Sequence, residues 1–377
     1  MVYPKMKLRA ETRLGSPFAV GANLVFALVC GWRQMQGNYI HEVGRSLGLP
    51  LQPRFTREGT DVQLTGFDNL VGRHCSSSAL RSVLAYDGVR LSEAVVFGLG
   101  SGLGFFYAVE AGRSPSRRFN GRAPDLEGNF YRLVGQPLKW AQAWQPELLQ
   151  KALTDDRPLL AQTDIHPIPY YDDAHFIGHG VAVVGIEEDE VIVADIAAQG
   201  FSRMPLQALH DAVALSHPPL LAPYHYAPAP EVKGVDVATL APQALSKTVR
   251  YMLEPPTPNE GVAGMHRLAD DLPGWADLDD DAWCARFGYQ GVEKRGTGGG
   301  NFRYLFRDFL QETQAFTDVS NEVIDGFTEA AQLWTAAAGY LKEAAFEERT
   351  RAPLNRTAKT VREAARLEGE LFAKLRT

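Results

Sequence analysis

Apolar residues recur along this chain with two different periods, and the change of period divides it. Between Gly66 and about Pro230, short helical and extended patterns alternate. Cys75 to Tyr86 places Leu80, Val83 and Leu84 on one face at helical spacing, and Gly88 supplies the stop. Leu91 to Leu99 predicts a second helix opened by Ser92-Glu93, and Glu147 to Leu153 a third with Pro146 at its start. Leu159 to Gln162 follows as an apolar strand. Gly180 to Ile186 then reads as a buried strand, Glu187 to Glu190 as a charged turn and Val191 to Asp195 as its antiparallel partner, which together predict a β-hairpin. Pro218, Pro219, Pro223, Pro228 and Pro230 punctuate a linker. Beyond Val235 the period is helical, over Ala238 to Leu253, Gly261 to Leu272, Phe302 to Phe316, Asn321 to Phe346 and Ala358 to Leu375. The expected organisation is an N-terminal extension over 1–60, a mixed α+β catalytic domain over 61–230 and an all-helical domain over 236–377.

Composition narrows the function classes. With 377 residues, 45% hydrophobic and 22% charged, the chain has the make-up of a soluble protein large enough for two cores. A net charge of −7 argues against nucleic-acid or polybasic membrane partners. The basic cluster Arg113, Arg117, Arg118 and Arg122 reads as a short solvated loop. Phe18 to Trp32 follows Lys5, Lys7, Arg9 and Arg13 and mimics a leader, but it is too short and interrupted to span a bilayer. Cys30, Cys75 and Cys284 form no metal-ligand spacing, and so sparse a set fits a reducing cytoplasm. His74, Asp164, His166 and Asp172 match no standard metal pattern either, so neither metal nor cofactor is expected. The glycines from Gly98 to Gly104 lack the strand and acidic partner of a dinucleotide site, and Gly296 to Gly300 lacks the ending of a phosphate loop. Both read as close-approach loops beside a pocket.

The chemistry concentrates at element boundaries. Cys75 opens a predicted helix, where the N-terminal dipole favours a thiolate, the attacking form of cysteine. His179 enters the first hairpin strand and Asp195 leaves the second, so the hairpin brings them together across their separation in sequence. An imidazole oriented by a carboxylate beside a thiol is the arrangement of papain-like catalytic sites. Asp189 is the rival carboxylate but lies in the solvated turn. An oxyanion needs a side-chain donor beside the Cys75 amide, and Asn69, shortly upstream, is the natural candidate. His74 adjoins the cysteine and could assist the thiolate, but a sequence neighbour usually points elsewhere, so His179 is preferred as the base and His74 is assigned to the substrate pocket. Asp164 and His175 belong to the loop before the strand and line the same pocket. Thr297, ahead of a helix and near Arg295 and Arg303, is suited to an anion such as a phosphopantetheine arm.

Several of these stretches, taken in order, resemble a known family. Gly72-Arg73-His74-Cys75, Ala79-Leu80-Arg81, Leu84-Ala85-Tyr86, Phe97 to Phe105 and His175-Phe176 through His179 are similar to the N-terminal domain of the butirosin biosynthesis protein H family. Glu293 to Leu310 resembles the helical domain of unknown function that commonly follows it, which adds Glu293 to the substrate-binding set. The resemblance runs from about Asp61 to the C-terminus and leaves out residues 1–60. It implies a papain-type N-terminal fold and an acyltransferase of natural-product assembly, passing an acyl group from an acyl carrier protein thioester to a small-molecule amine. A homodimer is compatible with this, and donor and acceptor stay open. The same three residues also suit a cysteine hydrolase, and a docking module with an inactive set is the non-enzymatic alternative.

Overall fold

Runs of buried β-branched residues draw six strands into one antiparallel sheet. In the computed structural model, which describes residues 61–171, 175–215, 222–347 and 351–376, these are β1 (Val62–Gln63), β4 (Leu159–Asp164), β5 (Ile177–Glu187), β6 (Glu190–Ala194), β7 (Phe201–Pro205) and β8 (Tyr226–Pro228). Their order is β7-β6-β5-β4-β8, with β1 also on β5. β5 is the spine and is buried from Gly178 to Ile186. Its register with β6 (Val183 opposite Val193) closes through a two-residue charged turn, Glu188-Asp189. The predicted hairpin is therefore present. The 1–60 extension with Phe18 to Trp32 and Cys30, Asp172, and Pro218-Pro219 of the linker all lie outside the described residues.

Helix α1 (Cys75–Tyr86) packs on β5, and α4 (Pro146–Thr154) and α5 (Leu206–Ala214) pack on the same sheet. A second group lies between α1 and α4 in sequence: α2 (Glu93–Leu99), the hairpin β2 (Leu103–Val109) with β3 (Arg117–Arg122), and α3 (Leu126–Leu133). Periodicity missed this hairpin, because β2 is a continuous apolar run and β3 is dominated by arginine. Arg117, Arg118 and Arg122 of the basic cluster are thus on a strand, while Arg113 lies in the exposed turn before it. Phe119 stacks on Phe105 and Trp334, while Arg117 pairs with Asp271 and Arg118 with Glu110. Arg122 is buried.

The C-terminal half contributes α6 (Val237–Leu253), α7 (Gly261–Asp271), α8 (Asp281–Glu293), α9 (Arg303–Glu312), α10 (Gln314–Thr317), α11 (Asn321–Phe346) and α12 (Arg351–Lys374). α11 and α12 pack along one another, α8 packs on α11, and α7 and α8 cover the β2–β3 hairpin. Helix α8 escapes sequence recognition because Cys284, Ala285, Gly288 and Gly291 supply most of its buried face, and small residues make a faint stripe. The fold class is α+β, with the helical region built directly onto the strands. Residues Glu58–Thr377 form one compact unit. Among the described residues no helix is long and apolar enough to cross a membrane.

Candidate active site

The loop before α1 is drawn in by one buried carboxylate. Glu93, at the start of α2, accepts from the backbone N–H of Arg73 (2.8 Å) and His74 (2.7 Å), and from the hydroxyls of Ser77 and Ser78. His74 is the N-cap of α1, its Nδ1 accepting from the Ser77 N–H. Cys75 is consequently the first residue of the helix, where unsatisfied N–H groups face any charge on its sulfur.

His179 sits near the start of β5 and Asp195 just past the end of β6. The imidazole Nε2 lies 2.9 Å from Asp195 Oδ1, and the other ring nitrogen is left for the thiol. Two tyrosines of the preceding loop complete the carboxylate: Tyr171 donates to Oδ1 and Tyr170 to Oδ2, both at 3.0 Å. Sequence reasoning noticed a Tyr-rich loop here but had no signal for its target. Behind the pair, Gly180 permits a close approach. A Cβ on it would lie 2.6 Å from Ser76 Oγ and 3.0 Å from Glu127 Oε1, and Gln162 donates to Glu127 at 2.8 Å. Burial pushes the Glu127 carboxyl up, toward its neutral form.

Cys75, His179 and Asp195 are each only 2% exposed. Burial alone raises a thiol pKa, yet the Cys75 thiol is held well below the ordinary range. The charges of His74 and His179, with hydrogen bonds from both imidazoles, outweigh the desolvation. Burial works against the His179 cation too, but Asp195 and then Cys75 push it up to about 10. Asp195 stays low despite its burial, because His179 and the two tyrosines stabilise its charge. Both directions favour a thiolate on Cys75 beside an imidazolium on His179. Cys284 is the counter-example: burial pushes its thiol up to about 11.

His74 departs from the substrate-pocket assignment, since its ring is engaged by Ser77 at Nδ1 and Arg122 at Nε2. Its Nε2 lies 3.4 Å from Arg122 Nη1, and Arg122 Nη2 donates to Gly178 O at 2.8 Å, so one guanidinium links the loop of Cys75 to the strand of His179. Asn69 is not an oxyanion donor here. Its amide donates to the carbonyls of Asp195 (2.8 Å), Ala198 (3.1 Å) and Gly200 (2.7 Å) and fastens the loop beyond Asp195.

Asp164 is buried at the end of β4 and accepts from the backbone of His166 and Phe176, while its other oxygen lies 2.6 Å from His175 Nδ1. Those two residues shape the loop leading into His179. Arg295 reaches the same loop, donating to His175 O at 3.4 Å and lying over the Phe176 and Phe287 rings. Burial, and then the like charge of Arg286, lower its pKa to about 10.

The rest of the predicted anion site comes apart for plain geometric reasons. Thr297 is buried and donates to Val292 O, and Glu293 accepts from Gly300 N and Thr335. Arg303 is sealed in an ion pair with Glu368 at 2.8 Å, both side chains 0% exposed. It also donates to the carbonyls of Gly104, Gly121 and Asn301, and Trp334 adds a bond to Glu368. Those donors are spent on structure. No group of three or more His, Cys, Asp or Glu is placed to hold a metal among the described residues.

Comparison with known proteins accounts for most of the chain. Residues 74–196 match the family model of the butirosin biosynthesis protein H N-terminal domain. Residues 207–375 match that of a domain of unknown function. No curated protein matches the chain.

Proposed function

We propose that this chain, whose residues 74–196 match the butirosin biosynthesis protein H N-terminal domain, is an acyltransferase that makes an amide through a Cys75 acyl-enzyme. The observation that carries this reading is Cys75, sealed from bulk water at the head of a helix, with its thiol pKa held low and His179 paired to Asp195. Helix-borne cysteine, strand-borne histidine and a carboxylate on the next strand also support a papain-like catalytic half.

The thiolate attacks the carbonyl of a carrier-bound thioester, and the Cys75 N–H faces the oxyanion that forms. Collapse of the tetrahedral intermediate breaks the old C–S bond, and His179 gives its proton to the departing carrier thiolate. Neutral His179, oriented by Asp195, then takes a proton from an amine as its nitrogen attacks the Cys75 thioester. The second collapse forms the amide and returns the thiolate–imidazolium pair. Two features favour transfer over hydrolysis. A thioester donor is already reactive, and a buried nucleophile keeps water from the acyl-enzyme during its lifetime.

The test is incubation of the protein with an acyl-pantetheine thioester and a panel of small amines, following amide and free acid by mass spectrometry. Amide in excess of acid, abolished in Cys75→Ala, is the expected result. Free acid alone would make the protein a hydrolase. No acyl-enzyme and no product with any donor would leave a binding module.

A further inference from the structure

Tyr170 and Tyr171 are sequence neighbours, and in an extended chain their side chains would point to opposite sides. The loop between β4 and β5 turns instead. Ile165 O accepts from Ile168 N at 2.9 Å, Ile168 O accepts from Tyr171 N at 3.1 Å, and Ile168 is fully buried. Asp164 closes the base of the loop by accepting from Phe176 N at 3.1 Å. The two phenol rings consequently lie 5.2 Å apart, and both hydroxyls converge on one carboxylate. Tyr171 donates to Asp195 Oδ1 at 3.0 Å, and its oxygen also lies 3.2 Å from His179 Nε2, so it touches both members of the pair. Tyr170 donates at 3.0 Å to Oδ2, the oxygen that His179 does not use. Burial, and then the Asp195 charge, push both phenols up, so each keeps its proton and remains a donor.

A hydrogen bond donated to a carboxylate spreads its charge and leaves less of it for a cation on the other oxygen. We propose that Tyr170 is a positioning residue that acts through Asp195, taking up part of the carboxylate charge so that His179 can release and retake its proton during transfer. The proposal rests on the acyl-enzyme reading above. Before acylation, the Cys75 thiolate and Asp195 both hold the His179 proton. Acylation removes the thiolate and leaves Asp195 as the anion paired with the imidazole. Only the neutral ring can accept the proton of an attacking amine, and a carboxylate bearing its full charge would keep that ring cationic. The titratable groups facing His179 and Asp195 are Cys75 from α1 and Tyr170 and Tyr171 from the loop. Arg122 of β3 and Glu127 of α3 stand along the same strand, at Gly178 O and beside Gly180.

The experiment is a histidine nitrogen NMR titration of the full chain carrying Cys75→Ala, which removes the thiolate as acylation does. The His179 signal is assigned by its loss in His179→Gln. Tyr170→Phe keeps the ring and deletes the hydroxyl, and it is expected to raise the His179 midpoint by about half a pH unit, roughly threefold in proton affinity. The sign separates this role from a merely structural one, since a loosened Asp195 would hold the imidazolium less well and lower the midpoint. Because Tyr170 acts through the carboxylate, Tyr170→Phe adds nothing on an Asp195→Asn background. An unchanged or lowered midpoint, or a shift that persists without the carboxylate, overturns the proposal. Should Tyr170→Phe not fold, a ring-fluorinated tyrosine placed at this position is a stronger donor of the same shape. It is expected to lower the midpoint, and no downward movement there is equally fatal. Wild-type Cys75 that iodoacetamide alkylates no faster than Cys284 would remove the nucleophile itself, an outcome distinct from a titration done without Cys75.

Discussion

Cys75 and Cys284 are both buried, and their surroundings drive them in opposite directions. Burial dominates at Cys284, while two imidazoles outweigh it at Cys75. The consequence is a pH window. The thiolate exists above the lowered Cys75 pKa, and the His179 cation exists below about 10. The rate of Cys75 modification therefore holds a plateau that begins well below the usual thiol range and changes again near pH 10 as His179 gives up its proton. Folding stability follows the same charges. The raised His179 contributes fully below its unfolded pKa of about 6.5 and loses that contribution as pH climbs through about 10. Stopped alkylation with peptide mapping measures the window, and a Cys75 profile tracking that of Cys284 would contradict it. The three central residues were legible because each is chemically distinctive and lies at a predicted boundary. Tyr170, Tyr171 and Arg122 were not, because a hydroxyl or guanidinium in a loop-like stretch carries no mark of its target. For His74 adjacency left the orientation open, and the ring is set by Phe97 and Phe302, both far from it in sequence.

At the scale of elements, hydrophobic period located α1, α2, α4 and the β5–β6 hairpin, whose stripes are strong and whose stops are glycine or acidic pairs. The same reasoning took the stretch from Glu293 to Arg303 for an anion site, since cations and glycines before a helix are what such sites contain. Its partners settle the matter differently. Arg303 meets Glu368 from the far end of α12, and no local pattern announces a contact between residues so widely separated. The pair has no access to water, so removing one charge leaves the other stranded. Glu368→Gln keeps the volume and is expected to cost about 3–5 kcal/mol of stability. Urea unfolding of the purified variant reads this as a lower midpoint, and a midpoint equal to wild type would show that Arg303 reaches solvent.

For the whole molecule, the change of period near Val235 marks where strands give way to helices, but periodicity says nothing of which faces meet. The faces are shared. Trp334 of α11 stacks on Phe105 and Phe119 of the β2–β3 hairpin, α9 packs on α2, and Phe302 closes on His74. A boundary drawn at the linker therefore cuts through a common core. Unfolding of the helices would strip the cover from β2 and β3, and unfolding of the hairpin would expose the fully buried Trp334. Neither half can open without exposing much of the other's apolar surface, which is the condition for a single cooperative transition. Two probes test it. In a variant with Trp32, Trp140 and Trp144 replaced by Phe, tryptophan fluorescence reports Trp275, Trp283 and Trp334 among the helices, and a thiol reagent reports the opening of Cys75 over the sheet. Coincident urea midpoints are expected. Earlier loss of the fluorescence signal would mean that the helices melt alone.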